Sequence, residues 1–145
     1  MAAIVSAIEI DRSPAAVFAY ATDPARFPEW QPDVVRVEVD GSGVGARFTT
    51  VRRIAGVERS MVQEITEDSP SHRWAVRAVD GLIRPSATVT VEPLDGGRRS
   101  RATFTLDFEG HGMGDLIVPL VRRTAAKAAP ASYRRLKERL ENDLA

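Results

Sequence analysis

The sequence of 145 residues contains no cysteine, which excludes disulfide bonds, thiol nucleophiles and thiolate-bound metals. Histidine is scarce, because only His72 and His111 occur, and both fall in predicted loops. Neither an HExxH motif nor an acidic cluster accompanies them, so we expect no metal ion and no cofactor. A GxSxG motif is missing as well. The glycines of GSGVG precede a predicted strand, whereas a dinucleotide-binding motif requires a helix there.

The chain has no excess of positive or negative charge, because 20 basic residues balance 20 acidic ones. We therefore expect no nucleic-acid partner. Long hydrophobic runs are missing too: LIVPLV at residues 116–121 is far shorter than the roughly 20 residues that cross a bilayer. The N-terminus lacks the basic and apolar regions of a signal peptide. These absences predict a cytoplasmic protein without integral membrane contact.

The length predicts a single domain, residues 1–145, that is large enough to bury a core of its own. Residues 4–10 read IVSAIEI, and their isoleucines alternate with other side chains. A period of two places Ile4, Ile8 and Ile10 on one face of a strand. The chain therefore opens with a strand that has one apolar face.

Two signals for short helices follow the first strand. Ser13 is a favourable N-cap, and Pro14 suits the first position of a helix. Asp23 and Pro24 repeat this signal. Pro28 is expected to end the second helix soon after it begins, because proline lacks a backbone donor.

A hairpin centred at residues 55–56 gives a consistent charge pattern across two strands. It pairs Arg53 with Glu58 and Arg47 with Glu64 on one face, which is then expected to be solvated. The opposite face carries Phe48, Thr50 and Arg52 on one strand and Gln63, Met61 and Arg59 on the other. This second face therefore mixes apolar groups with two arginines and a glutamine.

Two Asp-Gly pairs, at residues 80–81 and 95–96, predict further hairpin turns. A turn centred on the second pair places Glu92 opposite Arg99. Pro85 lies inside a predicted strand, so we expect a bulge or a late strand start there. The resulting antiparallel meander has one dry face, which carries Trp74, Val76, Val89 and Phe104.

Residues 115–142 have the composition of a long helix, and Pro130 is expected to kink it. The helical period divides the apolar residues into two stripes. The first stripe contains Ile117, Val121, Thr124 and Ala128, and the second contains Tyr133, Leu136 and Leu140. A kink at Pro130 would reconcile the two stripes and let the helix follow a curved sheet.

The segment DPARFPEWQPDV at residues 23–34 carries two aromatic residues between prolines, although aromatic residues make up only 6% of the chain. Prolines fix the backbone and lower the entropy cost of holding the rings in place. Two interpretations remain open. Phe27 and Trp30 form the mouth of a cavity, or they plug the base of the core.

The order of elements, β-α-α-β6-α, resembles the START-like superfamily (helix-grip, SRPBCC), and in particular its polyketide cyclase/dehydrase branch. The segments that carry the resemblance are IEIDRSPAAVFAYATDPARFPEWQPDVVRVEV, GVGARF, EITEDSPSHRW, GGRRSRATFTLDFEG and LKERLEN. They cover essentially the whole chain. The resemblance implies an α+β helix-grip fold, in which a curved seven-stranded antiparallel sheet wraps round a long C-terminal helix. It also implies an apolar cavity between sheet and helix, which the two short helices close at one end.

We therefore expect the protein to bind a small hydrophobic molecule such as a lipid, a polyketide or an isoprenoid-like compound. The alternative is a polyketide cyclase/dehydratase-type enzyme acting on an aromatic or poly-β-ketone substrate, with protons supplied by water, Tyr20 or Tyr133. No catalytic residue can be nominated, and a homodimer is compatible with the sequence. The expected ligand-binding residues are Phe27, Trp30, Phe48, Thr50, Arg52, Arg59, Met61, Gln63, Trp74, Val76, Val89, Phe104, Ile117 and Val121.

Arg52 and Arg59 are the least usual members of this set, because both fall on the inward face and oppose each other. Two buried like charges are costly unless they are paired. One interpretation is that they line a wet end of the cavity and bind a carboxylate, a phosphate or an enolate oxygen. The other is that the strand ends flare into solvent beyond Thr50, which makes both arginines surface residues.

Overall fold

The computed structural model describes residues 3–54 and 56–143. In this part of the chain seven strands and three α-helices follow one another, joined by shorter helical turns. The strands are β1 (Ile4–Ile10), β2 (Val34–Asp40), β3 (Arg47–Ile54), β4 (Val57–Ser69), β5 (Arg73–Ala78), β6 (Ile83–Leu94) and β7 (Arg99–Gly110). The helices are α1 (Pro14–Ala21), α2 (Phe27–Trp30) and α3 (Val118–Glu138). Short 3₁₀ turns span Pro24–Arg26, Asp95–Gly97 and Gly112–Leu116, and a π-helical turn spans Arg139–Asp143.

The strands form one antiparallel sheet in the order β1-β7-β6-β5-β4-β3-β2. This sheet is curved, and α3 packs against its β1 and β7 strands and against α2. The architecture is the α+β helix-grip fold that the sequence predicts. A sheet with one apolar face requires a cover, and here α1, α2 and α3 supply it.

The predicted start of α1 is confirmed, whereas the second signal, at Asp23, opens the 3₁₀ turn Pro24–Arg26 and α2 follows at Phe27 without a side-chain cap. Ser13 Oγ accepts a hydrogen bond from Ala16 N at 3.3 Å, and Asp23 Oδ1 accepts one from Ala25 N at 3.1 Å. The prediction for Pro28 is wrong, because the chain continues through it as α2. Pro28 lies in the first turn of α2, where its missing donor has no intrahelical partner to lose.

The register of β3 and β4 is confirmed at every described pair. Arg53 lies opposite Glu58, with Nη2 and Oε2 2.8 Å apart, and Arg52 lies opposite Arg59. The charged face is outward, while Phe48 on the other face is buried. The period of two therefore assigns these two strands their faces correctly.

The predicted register of β6 and β7 is wrong by two residues. Glu92 pairs with Arg101, and Leu94 pairs with Arg99. The connection is longer than a two-residue hairpin, because Asp95, Gly96 and Gly97 all have positive φ and form a 3₁₀ turn. A shift of two residues preserves the faces of a strand, so the dry face is still as predicted.

The expected irregularity at Pro85 is also absent, since β6 pairs with β7 from Ile83 onward without a break. The physical reason lies in the neighbouring strand, because β5 pairs only with residues 86–90 of β6. Pro85 therefore lies beyond Arg77, the last residue of β5 that pairs with β6. A missing backbone donor costs no ladder hydrogen bond on that side.

Helix α3 buries one continuous stripe rather than the two predicted ones. Val118, Ala129 and Leu136 are buried, and Leu140 in the following π-helical turn continues the same face. These residues are spaced by 11, 7 and 4 positions, which are close to whole numbers of helical turns. The second predicted stripe is confirmed, because Leu136 and Leu140 are buried and Tyr133 is partly buried. The first predicted stripe is wrong, because Ile117, Thr124 and Ala128 are exposed and Val121 is only partly buried. No rotation of the buried face at Pro130 is needed.

Candidate ligand-binding site

Six aromatic rings meet between the inner face of the sheet, α2 and α3. Phe48 and Trp74 stack with centroids 6.2 Å apart, and Phe27 meets both rings edge-on at 6.0 and 6.3 Å. On the other side Phe104 stacks on Tyr133 at 4.2 Å. Trp30 joins the two groups, because its ring lies 5.8 Å from Phe27, 6.1 Å from Phe104 and 6.5 Å from Tyr133. We call these six rings the aromatic cluster.

Phe27 and Trp30 belong to the core of the protein. They are only 6% and 4% exposed, and their rings contact those of β3, β5 and β7. The sequence leaves two interpretations open, the mouth of a cavity and the base of the core. The burial of Phe27 and Trp30 agrees with the second. The aromatic cluster occupies space in which the family resemblance implies a cavity.

The indole nitrogen of Trp30 is the unusual polar atom of this cluster. It is buried, and no hydrogen-bond acceptor among residues 3–54 and 56–143 receives its N–H. Buried donors are nearly always paired, and an unpaired one costs about 1–3 kcal/mol. In this described part of the chain, the Trp30 N–H is therefore a free hydrogen-bond donor inside an apolar region.

Two buried polar side chains lie on the inner face next to the rings. Thr50 is 0% exposed, and its hydroxyl donates to Gln63 Oε1 at 3.3 Å. They occupy β3 and β4, on the face that also carries Phe48. Because a hydroxyl and an amide can each donate and accept, this pair can rearrange to meet a polar ligand atom.

The two arginines have different environments, although they oppose each other in register. Arg52 is partly buried; its Nη1 donates to the Asp33 carboxylate at 3.0 and 3.1 Å, and its Nη2 donates to Gln31 Oε1 at 2.7 Å. Arg59 is exposed, which corrects the expectation that it lines the interior. The cost of opposed like charges is avoided because Asp33 neutralises one of them and solvent screens the other.

Tyr20 is buried and Tyr133 is partly buried, and their hydroxyl groups have different surroundings. Burial raises the pKa of Tyr133 to about 12, and the nearby Arg52 charge opposes that rise only in part. Burial also raises the pKa of Tyr20, whose hydroxyl donates to Glu29 Oε1 at 3.0 Å. Tyr20 is therefore engaged with Glu29, while Tyr133 is itself a member of the aromatic cluster and carries a protonated phenol.

The remaining residues expected in the site divide by burial. Val76, Val89 and Phe104 are buried on the inner face, and Met61 and Val121 are partly buried. Ile117 is 45% exposed, because it precedes α3 on the side away from Val118. Its assignment to the interior is corrected accordingly.

Two functional candidates were absent from the predicted set, and Tyr133 was predicted only as a possible proton donor. Gln31 and Asp33 hold Arg52, and both lie in the proline-rich segment at residues 23–34. Tyr133 lies one helical turn from Leu136, and that spacing placed it on the correct stripe. Its stacking on Phe104 depends on how α3 crosses the sheet, which no sequence spacing encodes.

The surface of the sheet carries a depression whose lining is charged, unlike the apolar region around the aromatic cluster. A depression of about 550 Å³ lies against the sheet, lined largely by charged outward-facing side chains such as Arg47, Glu64 and Arg77. It lies away from the aromatic cluster. Within the part of the chain that the structure describes, no group of three or more histidine or acidic side chains could hold a metal ion.

The sequence matches a family model along nearly its whole length. Residues 1–144 match the family described as polyketide cyclase / dehydrase and lipid transport. The chain belongs to this family. No curated protein matches it in sequence.

Solved structures share the helix-grip fold of this polyketide cyclase/dehydrase family member at low sequence identity. The protein TTHA0849 from Thermus thermophilus is 22% identical, with a TM-score of 0.77 over 95% of this chain and 96% of its own. A START superfamily protein from Mycobacterium smegmatis is 14% identical, with a TM-score of 0.81 over the full length of both chains. The Zhui aromatase/cyclase from Streptomyces sp. R1128 is 15% identical, with a TM-score of 0.82 over 99% of this chain and 95% of its own. At these identities the similarity establishes the fold.

Proposed function

We propose that the protein binds a small, largely apolar molecule with an oxygen acceptor, between the inner face of the sheet and α3. The observation that carries this proposal is the buried, unpaired indole N–H of Trp30 in the aromatic cluster. A carbonyl or ether oxygen of a ligand would accept this hydrogen bond and remove the cost of the unpaired donor. A lipid, a polyketide or an isoprenoid-like compound has this chemistry.

Binding would require the aromatic rings to separate, because they are in mutual contact. The stacked pair Phe104 and Tyr133 joins β7 to α3, so a ligand that enters beneath α3 would part these two rings. The Thr50–Gln63 pair and Arg52 would then offer further polar contacts at the edge of an apolar space. Such a site, apolar with a few placed polar groups, is typical of small-molecule pockets.

The test compares two ligands of the same shape, fluorene and fluorenone, which differ by one carbonyl oxygen. Both tryptophans of the chain lie in the aromatic cluster, so tryptophan emission reports binding directly. Trp30→Phe keeps a ring and removes the N–H. We expect fluorenone to bind the variant roughly two- to tenfold more weakly, with fluorene affinity unchanged.

Trp74→Phe is the matched control, and it should affect both ligands equally. Failure of the wild-type protein to bind either ligand, or any member of a broader apolar panel, would refute ligand binding in this region. An equal loss of fluorene and fluorenone in Trp30→Phe would instead show that the indole acts through packing alone.

A second candidate is a polyketide cyclase/dehydratase-type activity, and the environment of Tyr133 favours it. The Tyr133 phenol is protonated at neutral pH and lies in a dry region, so it can donate a hydrogen bond to a developing enolate oxygen, and Arg52 adds positive charge nearby. The test is incubation with a synthase that releases poly-β-ketones. A cyclised product formed with the wild type and lost with Tyr133→Phe supports the activity, and an unchanged product spectrum rejects it.

A homodimer and a cytoplasmic location stay predictions from the sequence. Sedimentation equilibrium of the purified protein would measure the first, and fractionation of the native cells would measure the second. Neither outcome alters the ligand-binding proposal, because the aromatic cluster lies within one chain.

A further inference from the structure

Exposed apolar side chains collect at one end of the molecule. The strands alternate in direction, so the connections that follow β3, β5 and β7 all lie at the same end of the sheet. These connections, the strand ends that flank them and the start of α3 carry the exposed residues Ile54, Val57, Leu82, Met113, Leu116 and Leu120. We call these six residues the apolar end.

The opposite end of the sheet is different in composition. Within the described residues its connections carry one exposed large apolar side chain, Val44, together with Gly41, His72 and Gly96. Met113 and Leu116 at the apolar end are 74% and 78% exposed. Single exposed apolar residues are ordinary on protein surfaces, whereas several on adjoining connections mark an interaction surface.

The apolar end is held in place by backbone contacts. His111 N donates to Leu82 O at 2.8 Å, which ties the β5–β6 connection to the turn before α3. Gly114 lies directly against the backbone of Leu82, where a Cβ atom would clash with the carbonyl. Ile117 N donates to Gly114 O at 3.1 Å and closes the turn. Leu82, Met113 and Leu116 therefore project from an ordered corner.

Positive charge follows the leucines along the outer side of α3. Leu116, Leu120, Arg123 and Lys127 are spaced by three or four residues, which places them on one helical face, and all four are exposed. In the described part of the chain neither Arg123 nor Lys127 forms an ion pair. The helix carries six basic side chains and one acidic one, although the whole protein has a net charge of +0. Asp115, next to Leu116, and Glu109, near the end of β7, are exposed acids close to this face.

We propose that the apolar end docks on the surface of an anionic phospholipid bilayer, with Leu116 and Leu120 inserted and with Arg123 and Lys127 over the lipid phosphates. Amphipathic helices with apolar residues on one part and lysine or arginine beside them bind such interfaces by burying about 5–10 Å of their apolar side. None of the helices in the described residues is both long and apolar enough to cross a bilayer, so this contact is peripheral. This inference goes beyond ligand binding and does not depend on it.

Charge argues against a second copy of the chain as the occupant. A two-fold contact that covered the whole face would bury Arg123 and Lys127, and neither cation has an acidic partner in the described residues to neutralise it. The combination of exposed leucines with these cations beside them fits an anionic lipid surface.

The experiment is co-sedimentation with vesicles of phosphatidylcholine alone and of an equimolar mixture with phosphatidylglycerol. We expect the wild-type protein to bind the mixed vesicles and Leu116→Ser/Leu120→Ser to bind them at least about tenfold more weakly. Arg123→Gln/Lys127→Gln should lose about fivefold per removed cation. Phosphatidylcholine alone should bind the wild type less, and added salt should reduce the difference.

Matched controls lie at the other end of the sheet. Val44→Ser removes an apolar side chain of similar exposure, and Arg73→Gln/Arg98→Gln removes two cations. Both controls should bind like the wild type, and unchanged circular dichroism and melting of every variant exclude unfolding. The proposal is overturned if the wild type does not sediment with mixed vesicles, or if the control variants lose as much binding as the test variants. A concentration-dependent dimer that Leu116→Ser/Leu120→Ser dissociates, with no vesicle binding, assigns the face to a second copy instead.

Discussion

At the residue scale, the interior of this protein combines one satisfied polar pair with one unsatisfied donor. Thr50 and Gln63 satisfy each other at 3.3 Å, while the Trp30 N–H lacks an acceptor among the described residues. The two cases have opposite energetic consequences, because a buried hydrogen bond contributes about 1 kcal/mol and an unpaired donor costs about 1–3 kcal/mol. The paired atoms therefore serve stability, and Trp30 is the position at which a ligand can lower the free energy of the folded protein.

The Thr50–Gln63 pair gives the first test of this division. Thr50→Val keeps the shape of the side chain and leaves Gln63 Oε1 without its donor, so we expect the free energy of unfolding to fall by about 1–2 kcal/mol. Thr49→Val, on the outer face of the same strand, should change it by less than about 0.5 kcal/mol. Urea unfolding of both variants measures the difference. Equal stabilities for Thr50→Val and the wild type would show that water reaches Gln63.

The sequence predicts residue positions better than residue partners. Arg52 opposite Arg59 follows from the hairpin alone, and it is correct. The carboxylate that neutralises Arg52 belongs to Asp33, 19 residues earlier, and it arrives there only because α2 leads into β2 beside the end of β3. Contacts of this kind depend on the tertiary path of the chain, so a local pattern cannot encode them.

At the scale of elements, a period of two fixes faces, while turn length fixes register. The β6–β7 hairpin shows the distinction, because its dry face was predicted correctly although its pairing was wrong by two residues. Helix α3 shows the corresponding limit for a period of about 3.6, since a sequence stripe from Ile117 is nearly as apolar as the true one from Val118. Packing against the sheet decides which of the two stripes is buried, and the sequence of the helix alone does not contain that information.

The buried stripe of α3 can be tested against its exposed side. Leu136 is 0% exposed in the hydrophobic core, so Leu136→Ala should lower the free energy of unfolding by about 2–5 kcal/mol. Leu120 is 64% exposed, and Leu120→Ala is the control with the same loss of atoms. We expect that variant to stay within about 0.5 kcal/mol of the wild type. Comparable losses in denaturant unfolding would contradict the orientation of α3.

At the scale of the whole molecule, the two ends of α3 are anchored differently. Beyond its C-terminal end, Leu140 O accepts from Arg12 Nη1 at 2.8 Å, and Glu141 Oε2 accepts from Asp11 N at 2.8 Å. At its start, Arg122 reaches Asp107 at 2.9 Å, while Ile117 and Leu120 are exposed. The first half of α3, which carries the proposed membrane contact, is therefore distinct from the second half, in which Tyr133 stacks on Phe104 beside the proposed ligand site.

The stability of the whole protein should depend on pH at both extremes, with the alkaline side set by the buried tyrosines. The pKa of Tyr133 is about 12 in the folded protein and 10.0 when unperturbed, so between these values the folded chain retains a proton that the unfolded chain releases. Stability then falls as the pH rises from 10 to 12, by up to about 2–3 kcal/mol from this group, and the raised pKa of Tyr20 acts in the same direction. On the acid side, a hydrogen bond from Phe108 N and the Arg122 charge lower the pKa of Asp107. Its contribution is present above the unperturbed value of 3.8 and is lost as the pH falls.

Tyr133→Phe isolates the contribution of the Tyr133 hydroxyl to the loss of stability at high pH. The substitution removes the titrating group and keeps the ring stacked on Phe104. The variant should lose less free energy of unfolding than the wild type between about pH 10 and 12, while the two should respond in parallel below about pH 5. Urea unfolding at a series of pH values measures both curves. Parallel losses on the alkaline side would mean that the Tyr133 hydroxyl is solvated. The hydroxyl would then be hydrogen-bonded to water rather than held in a dry region, where a donor to a ligand oxygen acts most strongly.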